Sequence, residues 1–125
     1  ACVLESIKKG KIEKISIEKE SIMGGMSCGE VSLVPWEILK NSVHFCVTVP
    51  DDYISKTVKY LANKEFSEEK IIGGECSTPG IASLIGLSND HETRKKISLN
   101  ENSNVLLFGC EGDADEELYQ KLLAG

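Results

Sequence analysis

The sequence predicts an α/β fold in which helices cover both faces of a layered, mostly parallel sheet. Helical patterns alternate along the chain with short apolar runs, and this alternation is typical of a parallel sheet. The chain has 125 residues and is 41% hydrophobic, which is compatible with the packed core of one ordinary domain. No shift in composition marks a linker, so residues 1–125 are expected to form a single compact unit.

The first third of the chain is predicted to contain two helices separated by loop. Residues 2–9 have apolar positions at three- and four-residue spacing and end at Gly10, as a helix with a glycine stop would. Residues 11–17 alternate apolar and polar positions, which suits a short exposed strand or a loop. Residues 21–32 contain too much glycine for a helix interior. Pro35 fits the first turn of the second helix.

The rest of the chain is predicted to alternate between strands and helices. Residues 43–49 are rich in β-branched and aromatic side chains, and they are expected to form a buried strand. Residues 105–108 form a continuous apolar run, which favours a strand covered on both faces. Helices are predicted over residues 51–61, 78–87, 90–97 and 116–124 from their apolar periodicity and from the residues that open them.

Composition excludes several classes of function. A formal net charge of -6 would repel a phosphate backbone, so no nucleic-acid partner is expected. The apolar run at residues 105–108 is far shorter than the roughly 20 residues of a membrane-spanning helix, so no membrane association is expected. Five scattered cysteines without a CxxC pair argue against a zinc site and against a secreted disulfide scaffold. The sequence therefore predicts no metal site, and it predicts a cytoplasmic location.

Three glycine-rich stretches carry most of the functional information: residues 23–30, 72–80 and 108–115. None matches a Walker loop or a complete dinucleotide fingerprint. A tight turn is the simplest explanation for any one of them, because glycine allows close approach of the backbone. Two of them, however, lie beside the ends of predicted strands, where open α/β sheets bind their ligands. The sequence therefore indicates a small-molecule site.

The motif Ile-Met-Gly-Gly-Met-Ser-Cys-Gly-Glu at residues 22–30, followed by Trp-Glu-Ile-Leu at residues 36–39, resembles the diaminopropionate ammonia-lyases. Residues 71–80 and 105–115 resemble later motifs of the same family, so the resemblance covers essentially the whole chain. The chain departs from the family pattern at Val31 and at residues 109–110, where Pro and Ser-Thr are usual. The resemblance implies the C-terminal portion of a fold type II pyridoxal-phosphate enzyme, and the start at Ala1 without Met agrees with a portion.

The resemblance implies part of a lyase that converts 2,3-diaminopropionate to pyruvate and ammonia by α,β-elimination, in amino-acid catabolism. Family members bind pyridoxal phosphate on a lysine near the N-terminus, which precedes the matched region. No catalytic residue is therefore assigned to this chain. It is expected to be inactive and to bind no cofactor by itself, whereas the parent is expected to be a cytoplasmic homodimer that acts on a small amino acid.

The resemblance also implies which residues line the site. Cys110 would face the ring nitrogen of the cofactor, or Gly109 would if the alignment is shifted by one. The residues matched to the active-site rim, where a carboxylate could meet the cationic β-amine of the substrate, are Ser27, Cys28, Gly29, Glu30 and Glu75. A buried thiol and solvated loop acids are the simpler structural explanations. Cys2 maps to the same rim as Cys28, so these two cysteines are expected to lie close together as free thiols.

Other functions stay open. Another fold type II enzyme, such as a threonine synthase, a cysteine synthase or an amino-acid dehydratase, is the enzymatic alternative, and the form of residues 23–30 argues against it. A non-enzymatic binding module is the alternative from a different class. As a portion of a larger fold, the chain is expected to expose an apolar face and to self-associate.

Overall fold

The computed structural model describes residues 2–125, and it contains no β-strand within that range. The described part is helical, with α1 (Cys2–Lys9), a 3₁₀ turn (Gly24–Met26), α2 (Leu33–Ser42), α3 (Asp52–Ala62), α4 (Pro79–Asn89), α5 (His91–Lys96) and α6 (Glu116–Ala124). The predicted helices are confirmed to within a few residues at each end. The predicted α/β sheet is wrong.

Neither of the two runs that were predicted to be buried strands forms a strand in the structure. Within residues 43–49, the Phe45 side chain is 60% exposed, and at residues 105–108 the Leu106 and Phe108 side chains are 78% and 85% exposed. A strand exists only where its backbone is hydrogen-bonded to a neighbour, and neither run has such a neighbour among residues 2–125. The apolar pattern predicts burial, but it cannot supply the partner strand. The exposure agrees with the expected uncovered apolar surface.

The chain divides into two compact units, residues 1–48 and residues 49–125. The assignment of both units to one domain stays a prediction. None of the helices within residues 2–125 is both long enough and apolar enough to cross a membrane.

The first unit is organised around Trp36, the only tryptophan of the chain, which packs with Cys2 and Val31 in a small apolar core. α1 ends at Lys9 and is followed by Gly10, whose φ of +68° lies in the left-handed region that glycine adopts without strain. Ser6 is fully buried in α1, and its Oγ accepts a hydrogen bond of 2.9 Å from the backbone N–H of Glu13. This bond fixes the chain that leaves the helix.

The second unit is built on α3, which packs against α6 and α4, while α4 also packs against α5. One face of α3 is buried through Ile54, Thr57, Val58 and Leu61, in keeping with its apolar periodicity. Tyr53, which the sequence assigns to the same face, is 51% exposed. The hydroxyl of Ser55 donates a hydrogen bond of 2.6 Å to the backbone oxygen of Leu122, which joins α3 to α6.

Aspartates cap the N-termini of the last two helices. Asp90 accepts a hydrogen bond from the backbone N–H of Glu92, and Asp115 accepts one of 2.9 Å from the backbone N–H of Leu118. The Thr93 hydroxyl, which donates to the Asp90 carboxylate, holds the pKa of Asp90 below its usual value. Each cap supplies an acceptor for N–H groups that have no partner within their helix.

Candidate functional site

Two of the glycine-rich stretches meet in the second unit. We call them loop A (residues 73–78) and loop B (residues 109–112). The backbone N–H of Glu111 donates a hydrogen bond of 2.7 Å to Ser77 Oγ, and the Ser77 hydroxyl donates in turn to the Glu111 backbone oxygen. The same oxygen accepts from the Gly74 N–H at 3.3 Å, and Glu111 Oε1 accepts from the Cys76 N–H at 2.9 Å. Ser77 and Glu111 therefore clamp the two loops together.

The approach of the two loops is close enough to require glycine. A Cβ added at Gly74 would lie 2.2 Å from the backbone oxygen of Gly112 and 3.0 Å from Glu111 Oε1. At Gly109 the nearest atom would be the Ser77 Cβ at 3.5 Å, an ordinary contact. Gly74 is thus the position where any side chain would push loop B away.

Cys110 lies in loop B and is exposed. Its Sγ lies 3.5 Å from the backbone oxygen of Cys76 in loop A. Because a carbonyl oxygen can only accept, the thiol is the donor in this contact. The structure therefore places Cys110 and Gly109, the two residues expected on the cofactor side, against loop A.

Glu75 lies in loop A beside the same contact. One carboxylate oxygen of Glu75, the Cys76 Sγ and one carboxylate oxygen of Glu111 all lie within 4.8 Å of one another. Such a set of atoms could bind a cation, but Glu111 already accepts the Cys76 N–H, and neighbouring acids are common without an ion. No second feature of the described residues points to a metal, and we assign none.

The remaining predicted site residues lie in the first unit. Ser27 and Cys28 line a cavity of about 330 Å³. Cys2, which is buried, lines the same cavity, and both cysteines are free thiols. This common cavity agrees with the expectation that the two thiols lie near one another.

Gly29 and Glu30 are held against the chain that follows α1. The Gly29 backbone oxygen accepts a hydrogen bond of 2.9 Å from the N–H of Ile15, and a Cβ at Gly29 would lie 2.8 Å from the Ile15 backbone oxygen. The exposed carboxylate of Glu30 forms an ion pair of 3.0 Å with Lys14. Glu30 is therefore engaged with a lysine at the surface.

Sequence reasoning did not assign Ser77 or Glu111 to the site. Both lie within glycine-rich stretches that the sequence singles out, but nothing in those stretches indicates that they meet. The one signal in the sequence is the polar pair Ser77-Thr78 directly before the apolar residues of α4. In the structure Ser77 is 8% exposed and Thr78 is fully buried. Buried hydroxyls require hydrogen-bond partners, and for Ser77 those partners are on loop B.

No family model matches the chain. Diaminopropionate ammonia-lyase of Escherichia coli strain K12 is 29% identical over 126 residues, which cover 98% of this chain and 31% of that enzyme. The enzyme of Salmonella typhimurium strain LT2 is 23% identical over 128 residues, with 98% and 32% covered. The chain resembles diaminopropionate ammonia-lyase. It spans about a third of the length of these relatives.

Solved structures of diaminopropionate ammonia-lyase give the same result. The Escherichia coli enzyme in complex with D-serine superposes with a TM-score of 0.84 at 26% identity, over 98% of this chain and 30% of that one. The same enzyme in complex with an aminoacrylate-PLP azomethine reaction intermediate superposes with a TM-score of 0.79 at 28% identity, over 98% and 31%. The resemblance to diaminopropionate ammonia-lyase predicted from the sequence is thus confirmed.

Proposed function

We propose that the chain is the C-terminal portion of a pyridoxal-phosphate-dependent ammonia-lyase that converts 2,3-diaminopropionate to pyruvate and ammonia. The observation that carries the proposal is that the sequence and the structure both match the same enzyme over 98% of the chain. The shared fold alone would leave the other fold type II enzymes open. The agreement of both comparisons on one enzyme favours the lyase.

Loop B fits the ring side of pyridoxal phosphate. Cys110 offers an exposed thiol, and the glycines at 109 and 112 place no side chain beside it. A thiol is a weak hydrogen-bond acceptor, so it does not draw a proton onto the ring nitrogen as a carboxylate would. When bound, the cofactor supplies an electron sink for negative charge at the substrate Cα. Cys110 would hold the nitrogen side of the ring, with Gly109 beside it.

The rim residues would bind and orient the substrate. Ser27 and Cys28 line a cavity, and Gly29 fixes the backbone that presents them. Of the two rim carboxylates, Glu75 is the better candidate for the cationic β-amine, because the carboxylate of Glu111 lies within 4.8 Å and adds negative charge. Glu30 is paired with Lys14 at the surface, although an exposed pair of this kind exchanges readily for another partner.

The Schiff-base lysine of the parent enzyme is proposed to lie outside these 125 residues. Mixing the chain with pyridoxal phosphate, reducing with borohydride and mapping the peptides by mass spectrometry tests this. We expect only scattered, substoichiometric labelling of surface lysines. A stoichiometric adduct at one lysine would show that the chain carries its own cofactor site.

The reaction itself is tested on the protein expressed from the complete open reading frame. Release of pyruvate and ammonia is measured with 2,3-diaminopropionate, and threonine, serine and O-acetylserine serve as competing substrates. We expect the diamino acid to be preferred. Preference for threonine or O-acetylserine would favour a dehydratase or a synthase instead, and binding without turnover would favour a non-enzymatic module.

The parent is proposed to be a cytoplasmic homodimer. None of the five cysteines, all within residues 2–125, forms a disulfide bond, which suits a reducing compartment. On α2 the side chains of Leu33 and Val34 are each 75% exposed and Ile38 is 62% exposed, which provides apolar surface for a partner. Light scattering on the isolated chain is expected to show self-association. A monodisperse monomer at high concentration would contradict it.

A further inference from the structure

We propose that Cys76 and Cys110 form a redox-sensitive pair, which hydrogen peroxide oxidises to a disulfide that joins loop A to loop B. Neither residue forms a disulfide in the structure. They are the only two cysteines of the second unit, because the other three lie within residues 1–48. The inference goes beyond the proposed function and does not depend on it, since it concerns only the chemistry of these two side chains.

The Cys110 sulfur already contacts the residue to which it would be bonded. Its Sγ lies 3.5 Å from the Cys76 backbone oxygen. That oxygen is two covalent bonds from the Cys76 Cα, so the Cys110 sulfur lies within roughly 6 Å of this Cα. The Cα atoms of a disulfide lie about 4.4–6.8 Å apart, so rotation of the two side chains and a small movement of loop B would bring the sulfurs into bonding distance.

The hydrogen bonds between Ser77 and Glu111, which we call the clamp, hold the two cysteines in register. Ser77 follows Cys76 directly in loop A, and Glu111 follows Cys110 directly in loop B. The Ser77 hydroxyl and the Glu111 backbone exchange hydrogen bonds in both directions, and Glu111 Oε1 accepts from the Cys76 N–H at 2.9 Å. The residues beside the two sulfurs are thus paired across the loops, which gives each sulfur a high effective concentration at the other.

The surroundings of the two sulfurs give them different roles in the oxidation. Cys110 is exposed, whereas Cys76 is 7% exposed. Hydrogen peroxide therefore reaches Cys110 first, oxidises its thiol to a sulfenic acid and is itself reduced to water. The Cys76 sulfur then attacks the Cys110 sulfur. An S–S bond forms, the S–O bond of the sulfenic acid breaks, and the hydroxyl leaves with the Cys76 proton as a second water molecule.

Peroxide treatment of the 125-residue chain tests the proposal. Hydrogen peroxide is added at low protein concentration, the remaining thiols are blocked with N-ethylmaleimide, and the peptides are mapped by mass spectrometry without reduction. We expect a disulfide between the Cys76 and Cys110 peptides, which forms at a rate independent of protein concentration and is reversed by dithiothreitol. Oxidation of Cys110 to a sulfinic acid while Cys76 stays a thiol would overturn the proposal. A bridge from either residue to a cysteine of the first unit would also overturn it.

Two serine variants of the second unit test the role of the clamp. Ser77→Ala removes the hydroxyl that joins loop A to Glu111, whereas Ser55→Ala removes the hydroxyl that joins α3 to the Leu122 backbone oxygen. We expect the disulfide to form several-fold more slowly in Ser77→Ala and at an unchanged rate in Ser55→Ala. Equal rates in the two variants would overturn the role of the clamp. A failed lyase assay would leave all these results unaffected, because none of them uses the cofactor or the substrate.

Discussion

Loops A and B of the second unit and the residue 27–30 segment of the first unit are both glycine-rich, but different interactions hold them in place. Loops A and B are joined by side-chain hydrogen bonds in both directions and leave no room at Gly74. The residue 27–30 segment is joined to the chain after α1 by the backbone bond between Ile15 and Gly29 and by the exposed ion pair between Glu30 and Lys14. The firmer support of loops A and B suits the proposed contact of loop B with the cofactor, because groups that contact a bound molecule work best when they are held in a fixed geometry.

Gly74→Ala should give the largest effect. Its new Cβ would lie 2.2 Å from the Gly112 backbone oxygen, and backbone cannot yield as the end of a side chain can. We expect the free energy of unfolding to fall by about 3 kcal/mol, at the upper end of typical overpacking costs. Chemical denaturation followed by circular dichroism measures it.

Gly86→Ala is the matched control for this change. Gly86 lies within α4, and an added Cβ there would meet no atom within 4 Å. Alanine favours a helix interior over glycine by up to about 1 kcal/mol, so this variant should be as stable as the unmodified chain or more so. Equal stability of the two variants would mean that loop B moves aside without cost, and the contrast between the loops and the rim would be lost.

Gly29→Ala is expected to have a smaller effect in the first unit. Its Cβ would lie 2.8 Å from the Ile15 backbone oxygen, a less severe overlap than at Gly74. We expect a loss of about 1 to 2 kcal/mol. The fluorescence of Trp36, which is buried in the first unit, follows unfolding there.

Gly24→Ala provides the comparison for Gly29, since no atom lies within 4 Å of an added Cβ at that position. It should change the unfolding midpoint little. A Gly29→Ala variant as stable as Gly24→Ala would show that the rim adjusts even more freely than its contacts indicate. A loss larger than that of Gly74→Ala would reverse the comparison between the two regions.

The sequence predicted local structure well and long-range pairing poorly. Helices such as α3 follow from apolar periodicity within a dozen residues, and Asp115 caps α6 through its own neighbours. The predicted strand at residues 105–108 needed a partner outside local sequence, and none lies within residues 2–125. The predicted fold class was wrong because the apolar pattern of a strand does not show whether a partner strand is present.

In the candidate site, too, local features could be predicted from the sequence and long-range contacts could not. The motifs led to the proposal of Cys110 and Glu75 as site residues, because each lies in a stretch that is recognisable by itself. Ser77 and Glu111 were not predicted as site residues, because their hydrogen bonds join positions 34 residues apart. Residue type and spacing along the chain carry little information about such a contact, which only the folded second unit creates.

Asp115→Ala should moderately lower the stability of α6, which follows loop B. The Asp115 carboxylate accepts a hydrogen bond of 2.9 Å from the Leu118 N–H at the start of α6. Loss of an N-cap of this kind costs typically about 1 kcal/mol. Asp115→Asn retains an acceptor and should recover most of the stability in thermal unfolding. If the two variants had the same thermal unfolding midpoint, the hydrogen-bond acceptor at position 115 would not contribute to the stability of the second unit.

Lys14→Ala should have the smallest effect, and it tests whether the rim is adjustable. The Lys14 and Glu30 side chains are 76% and 49% exposed, so their 3.0 Å ion pair is screened by solvent. A double-mutant cycle with Glu30→Ala should give a coupling free energy of about 0.5 kcal/mol or less, because exposed pairs gain little. The coupling should shrink further in about 1 M salt, where charges are screened within roughly 3 Å. Coupling above about 1 kcal/mol that persisted in salt would exceed what an exposed pair provides. The rim would then be held as firmly as loops A and B, and Glu30 would not be free to exchange Lys14 for the amine of a substrate.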